Sequence, residues 1–436
     1  MKTAPVDKVN KRVSVSFIAI LLSLFTSGCM VRNVPMTHLV MYDKEGQLVN
    51  PTDNLLGLKV PGSRYIPIED QKEYYDHIFT AIKNHPLSSD GKRKVLFYIH
   101  GGLNTQKGTL KRARELSPKI LEDGYFPIFI NWQSSLTSNY MSHLFSVRQG
   151  KDFGWWTAPL APIYLGADIA RGVVRVPVVS LPQIVNDVKT LPFLEPFQSE
   201  LCTAQKMISE YQEDLKNGTS STISISMGQD KRSRSEMAIS FLTYIPTLPL
   251  KWVLSPMALD MFGKNSWEMM NRSARMLFHD EKEFKTGSPH SQPSGGLHQF
   301  MSQFEKEVSR EPETWEITVI GHSMGTIVMN EMIRRFNINY ANIVYMAGAT
   351  SVRDYEDTIF PYLETHQETE VYHLTLHPIA EIRERWWMDS IMRGSLLMWV
   401  DQFLSQPQTR LDRTVGKFTN LMSTVHDTPG MSESGQ

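Results

Sequence analysis

The strongest constraint on this chain is a set of short apolar runs separated by helix-length segments. Residues 94–99, 126–132, 315–320, 343–347 and 371–376 each read as a nearly unbroken apolar stretch. Such a run marks a strand buried on both faces. Between the runs, apolar residues return at helical spacing over 107–122 and 326–336. Leu297, Phe300, Met301, Phe304 and Val308 likewise share one helical face. Strands alternating with helices predict an α/β fold with a mostly parallel central sheet flanked by helices. A short further strand is expected over 414–418.

Two stretches depart from this rhythm. Residues 29–93 predict an N-terminal extension: a hairpin, with 37–42 returning at 47–49 through Asp43-Lys44-Glu45-Gly46, and a helix carrying Tyr75, Ile78, Phe79 and Ile82. Residues 150–296 turn aromatic, Met-rich and Pro-rich, with Trp155, Trp156, Trp252, Trp267, Met257, Met261, Met269 and Met270, and close on a Gly/Ser/Pro linker. They predict a large, mainly helical insertion that splits the core into 94–149 and 297–436.

Composition removes several function classes. The chain has 436 residues, Lys+Arg 45 against Asp+Glu 46, and no basic block, so it lacks the electrostatic footprint of a nucleic-acid binder. Two cysteines make neither a disulfide scaffold nor a Cys-rich zinc site. No 18-residue apolar run exists, which excludes a multi-span membrane protein. P-loop, dinucleotide and H-E-x-x-H motifs are missing, and His373-x-x-x-His377 lacks a third ligand. No cofactor or metal is expected.

Gly321-His322-Ser323-Met324-Gly325 matches G-x-S-x-G, with a buried strand before it and an apolar helix after it. In that setting the serine sits on a sharp turn where side chains larger than hydrogen at the flanking glycines would clash. Its Oγ is thereby presented at the carboxyl edge of the sheet. His100-Gly101-Gly102 follows the strand 94–99 and resembles an H-G-G loop, whose backbone N–H supplies half of an oxyanion hole. By that reading the donors are the N–H of Met324 and that of Gly102 or Leu103.

These motifs together make the chain resemble an α/β-hydrolase of the lipase/esterase kind, over about 94–140 and 297–436. The segment from His100 to Asn131-Trp132-Gln133-Ser134 is also similar to bacterial α/β-hydrolases with an H-G-x-N loop and a W-P-S strand end, although Gln133 replaces the proline. The resemblance implies that an acid and then a histidine follow Ser323. His366, His373, His377 and His426 are the only histidines that do so. His373 is mid-strand and reads as packed, and His366 precedes that strand. His426 stands in the loop position expected of the general base, with His377 in reserve. The acid is Glu381, five residues past the strand 371–376, or Asp354, past the strand 343–347; Glu381 is preferred.

The first thirty residues read as an address. Lys2, Lys8, Lys11 and Arg12 precede a 13-residue apolar stretch, 13–25, which is too short to span a bilayer. Thr26-Ser27-Gly28-Cys29 resembles a bacterial lipobox, with Thr26 where Leu is more usual. The resemblance implies a signal peptide over 1–28, a lipidated Cys29 and a cell-envelope lipoprotein. By resemblance to known sorting rules, Met30 in place of an Asp after the cysteine implies the outer membrane. The combined expectation is a membrane-anchored serine hydrolase of lipid or hydrophobic esters. Thioester, amide or acyl-transfer chemistry on the same machinery, and a non-catalytic binding lipoprotein, remain as rival readings.

Overall fold

The computed structural model describes residues 35–49, 68–104, 106–148, 151–189, 246–279, 294–376, 381 and 393–421. Cys29, His377 and His426 lie outside these residues.

Six strands form one sheet: β1 (Leu39–Met41), β2 (Arg93–Ile99), β3 (Phe126–Asn131), β6 (Trp315–His322), β7 (Asn342–Met346) and β8 (Glu370–Leu374). Their order is β1-β3-β2-β6-β7-β8, and every neighbouring pair is parallel. The central pair runs in register from Arg93 opposite Trp315 to Ile99 opposite Gly321. Every residue of β3 is buried, as its unbroken apolar run requires.

Helices cover both faces. On one, α1 (Ile68–Asn84) and α6 (Gly296–Val308) pack by aromatic rings. Phe300 meets Phe79 and Tyr75 at 5.3 Å between centroids, and Phe304 meets Phe97 at 5.0 Å. These rings explain both helical stripes: each carries its large apolar residues toward the sheet. On the other face, Leu110 and Ala113 of α2 (Gln106–Glu122) cover Tyr98, Phe129, Leu39 and Met41. Helices α7 (Gly325–Arg335) and α8 (Val352–Thr365) follow β6 and β7. Pro inside α2 and α8 (Pro118 and Pro361) does not end either helix.

Between β3 and α6 the described part of the chain is mainly helical. It comprises α3 (Leu136–Phe145), a two-stranded antiparallel ribbon of β4 (Val147–Arg148) and β5 (Lys151–Asp152), the 29-residue α4 (Ala161–Lys189), and α5 (Lys264–Met276). Two π-helical segments, Leu250–Leu254 and Leu259–Gly263, lead into α5.

The structure corrects four expectations. The segment 29–93 is not an appendage: β1 pairs with β3 inside the sheet, and Tyr75, Ile78, Phe79 and Ile82 lie in the main core. The insertion does not last to 296, because Trp267, Met270, Ala274, Leu277 and Phe278 already belong to that core. β8 is an edge strand, with Tyr372, Leu374 and Leu376 exposed, rather than one buried on both faces. Residues 414–418 form no strand; they make isolated bridges, Thr414 to Ser351 and Lys417 to Leu376. The hairpin expected near residue 43 is present in reduced form, as a bridge between Tyr42 and Leu48.

Candidate active site

The strand order itself points to a site. β2 is followed by β3 on one side, and β6 by β7 on the other. The loops leaving β2 and β6 diverge, so a crevice opens at their carboxyl ends, where ligands bind in sheets of this type. His100-Gly101-Gly102 and Ser323-Met324 both sit there.

Ser323 is a left-handed residue, with φ of +50°. A non-glycine backbone held this way costs on the order of 1–3 kcal/mol and persists only where its surroundings over-determine it. Here they do. Its N–H donates to Met346 O at 2.8 Å, at the end of β7. Its carbonyl accepts from Thr326 N, from Ala349 N and from Thr326 Oγ1, at 3.1, 3.0 and 2.7 Å. The turn is thus pinned by α7 on one side and by the chain after β7 on the other. The serine is 9% exposed.

The flanking glycines are steric necessities. A Cβ on Gly325 would lie 2.3 Å from Ile99 O, and one on Gly321 would lie 3.0 Å from the Thr326 Cα. A Cβ on Gly101 would meet the Ser323 Cβ at 2.7 Å, and one on Gly102 the Met324 Sδ at 3.0 Å. The two loops therefore touch backbone to side chain.

The His100 loop is held by a polar network that also fixes its N–H groups. The Gly101 carbonyl lies within hydrogen-bond distance of His100 Nδ1, Asn104 Nδ2 and Ser134 Oγ, at 2.8, 2.8 and 3.2 Å. In a trans peptide the carbonyl and the next N–H point opposite ways. Anchoring Gly101 O in this network consequently turns Gly102 N–H away from it. Leu103 N–H donates to Ser134 O at 2.7 Å. That bond engages the Leu103 N–H, one of the two N–H groups expected to serve as donor from this loop. Met324 is the N-cap of α7, and its N–H and that of Gly102 engage no acceptor among the described residues.

His100 serves this scaffold. The Trp132 N–H donates to its Nε2 at 3.1 Å, and its ring stacks on Trp132 at 12° between planes. With Nε2 accepting, Nδ1–H is the donor to Gly101 O. Burial pushes its pKa down to about 4, keeping it neutral. Burial, with Arg112 adding repulsion, does the same to His322 beside the serine. In the sequence, Trp132 and Ser134 stand out only through the strand-end resemblance, with no part in holding the loop, and Asn104 does not stand out as a residue; polar residues closing an otherwise apolar strand, as in 131–134, are the available signal.

The remaining site residues separate. His366 caps the end of α8 and stacks on Tyr362, at the amino edge of the sheet. His373 stacks on Tyr345 at 4.9 Å and is driven neutral by burial, its pKa pushed down to about 4, in accord with a packed residue. Asp354 is tied to α7, paired with Arg334 and accepting from Asn330 Nδ2 at 2.6 Å and Thr350 Oγ1 at 2.5 Å. Glu381 is buried beyond β8, and its carbonyl accepts from Ser395 N at 2.6 Å. Residues 415–416 run along the loop after β7: Val415 N donates to Thr350 O at 2.9 Å and Gly416 N to Gly348 O at 2.7 Å. Thus Ser323, Met324, Gly102 and Leu103 come together, whereas Asp354 is committed to a structural network. Comparison of the chain with protein-family models, with curated proteins and with solved structures finds no match.

Proposed function

We propose that the chain is a membrane-anchored serine hydrolase with an α/β-hydrolase fold, acting on carboxylic esters of lipid or hydrophobic acyl groups. The observation that carries the reading is Ser323 itself. It is a strained, left-handed serine between a central parallel strand and a helix, with the Gly101–Gly102 loop pressed against it at the switch point of the sheet.

In this mechanism Ser323 Oγ attacks the acyl carbon while its proton passes to the general base. The carbonyl π electrons move onto oxygen, and the N–H groups of Gly102 and Met324 stabilise that charge. The intermediate collapses, the C–O bond breaks, and the leaving alcohol takes the proton back from the base. Water then repeats the sequence on the acyl-serine and releases the acid.

His426 is assigned as the base. It follows Gly416, which already stands beside the loop after β7, by ten residues. Glu381 is assigned as the orienting acid, because Asp354 is occupied by Arg334, Asn330 and Thr350. Anchoring through Cys29 at the cell envelope, with a signal peptide over 1–28, rests on the sequence of that segment.

A fluorophosphonate probe tests the reading, applied to the purified chain with lipid present. Labelling should occur in the parent and vanish in Ser323→Ala and His426→Ala. Labelling that survives His426→Ala moves the base to His377. No labelling of the parent overturns the hydrolase reading in favour of a binding lipoprotein. A panel of ester, thioester and amide substrates then identifies the bond cleaved.

A further inference from the structure

Helix α4 is built inside out. Every exposed residue in its described part is apolar, including Ile163, Val173, Val174, Val178, Leu181 and Val185. Val174 is 76% exposed. The charged side chains described in it, Asp168, Arg171, Arg175 and Asp187, face the protein instead. Asp168 accepts from Tyr140 Oη and His143 Nε2 at 3.1 Å each, and from Asn265 Nδ2 at 2.6 Å. Arg175 Nε donates to the fully buried Asp260 at 2.8 Å, and Arg171 reaches the Asp260 and Met261 carbonyls at 3.1 and 3.2 Å. Asp187 accepts from Gln183 Nε2 at 2.9 Å and Trp252 Nε1 at 3.1 Å.

The exposed face continues onto a second element through Leu250, Val253 and Leu254. At its amino-terminal end stand Phe153 and Trp156, the latter 92% exposed. A helix of 29 residues is about 43 Å long at 1.5 Å per residue. An apolar surface of that extent on a folded chain marks a contact site.

We infer that the outer face of α4 lies flat on a phospholipid bilayer, with its aliphatic residues among the upper acyl chains and Trp156 at the headgroup level. Three observations select lipid. Among the described residues of α4 the exposed face offers no side-chain hydrogen-bonding group, whereas protein interfaces carry about one hydrogen bond per 100–200 Å²; acyl chains need none. An exposed tryptophan at one end is the anchor that interfaces favour. The third is the N-terminal segment 13–29, which reads as a membrane attachment and makes this inference rest in part on the anchoring proposed above. No helix among the described residues is long and apolar enough to cross a membrane, which suits a helix lying on the surface.

The arrangement also links the surface to the site. Gly172 of α4 packs on Met261 and Met257, the chain runs from Met261 into α5, and Met270 of α5 stands 3.5 Å from where a Gly102 Cβ would be. A bilayer under α4 would hold the crevice at a fixed attitude to the lipid.

Depth-dependent quenching tests the inference on the full chain. With Cys202→Ser, an environment-sensitive fluorophore is placed at Val174→Cys, at Val178→Cys and, as a control at the amino edge of the sheet, at Asp123→Cys. Vesicles of phosphatidylethanolamine and phosphatidylglycerol are then added, with and without brominated acyl chains. The expected result is a blue shift and loss of emission to bromine at 174 and 178, and neither at 123. Emission at 174 and 178 that stays water-like with vesicles overturns it. So does emission already blue-shifted before lipid is added, with sedimentation telling a second copy from cover by the chain itself. Fluorophore taken up by the Cys202→Ser chain alone reports a free Cys29; that outcome removes the anchoring reading without touching the test of α4.

Discussion

Helices α6 and α4 both bear apolar stripes and use them in opposite ways. α6 turns Phe300 and Phe304 into a nest of rings with Tyr75, Phe79 and Phe97, and leaves Lys306 to solvent. α4 turns Asp168, Gln183 and Asp187 inward and leaves Val174 and Val178 outside. An apolar stripe therefore tells that a helix has a face to hide, not what hides it. In α6 the protein does so. In α4 the protein side is already taken by a hydrogen-bonded polar network.

The comparison is sharpest where it predicts stability. Phe300→Ala empties a site lined by four rings, and such a truncation costs about 3–5 kcal/mol. A urea midpoint near that of the parent would mean that α6 is not the core element described here. On α4 the sensitive positions are the polar ones. Asp168→Ala strands Tyr140, His143 and Asn265, and the two buried donors, Tyr140 and Asn265, each lose an acceptor at a cost of about 1–3 kcal/mol. Hydrogen exchange should show that loss locally, in α3 to α5, with the sheet less affected. Uniform loss across the sheet would dissolve the distinction between the two regions.

Buried imidazoles and the buried Asp187 carboxyl of α4 respond oppositely to acid. Burial pushes the pKa of His100, His322 and His373 down to about 4, so the folded state binds these protons less tightly than the unfolded chain. Their contribution is present above pH 6.5 and is lost as pH falls through 4. Burial pushes the Asp187 carboxyl up to about 6, with Lys251, Gln183 and Trp252 opposing it. Its contribution is present below the ordinary carboxylate range and is lost as pH rises through 6. Three imidazoles outweigh one carboxylate, so net stability should fall on acidification from pH 6.5 to 4. Asp187→Asn removes the opposing slope, and its urea midpoint should fall more steeply over the same interval. An unchanged slope would show that Asp187 titrates as an ordinary surface acid.

What the sequence made legible follows the same division. The five apolar runs locate β2, β3, β6, β7 and β8, and the helical stripe at 297–308 locates the ring-packed layer, because short apolar runs alternating with helix-length segments mark a parallel sheet; the two-residue β4 and β5 leave no such run. The motif around Ser323 was equally legible, although only Gly321 answers a neighbour within a few residues, while Gly325 answers the distant Ile99 carbonyl. Two things were not. The membership of β1 in the sheet depends on pairing with β3, almost ninety residues away, and no local pattern records that. The engagement of the Leu103 N–H turns on the Ser134 carbonyl, which only the fold brings beside the loop. Likewise, the partners of the α4 charges, Tyr140, Asp260 and Asn265, are distant along the chain.

The smallest expected effect is the most telling. Val178→Ser places a hydroxyl on the exposed face of α4, where it meets water in the free chain, so stability should stay within about 0.5 kcal/mol of the parent. The same change at a core valine such as Val319, buried on β6, would leave both a cavity and an unsatisfied hydroxyl. Thermal melts of the two variants without lipid separate the cases. If Val178→Ser melts like Val319→Ser, the outer face of α4 is covered by protein in solution, and the opposition between α4 and α6 fails. If it melts like the parent, the valine is retained for something outside the fold, and the loss should reappear when vesicles are present, as weaker binding of the full chain to lipid.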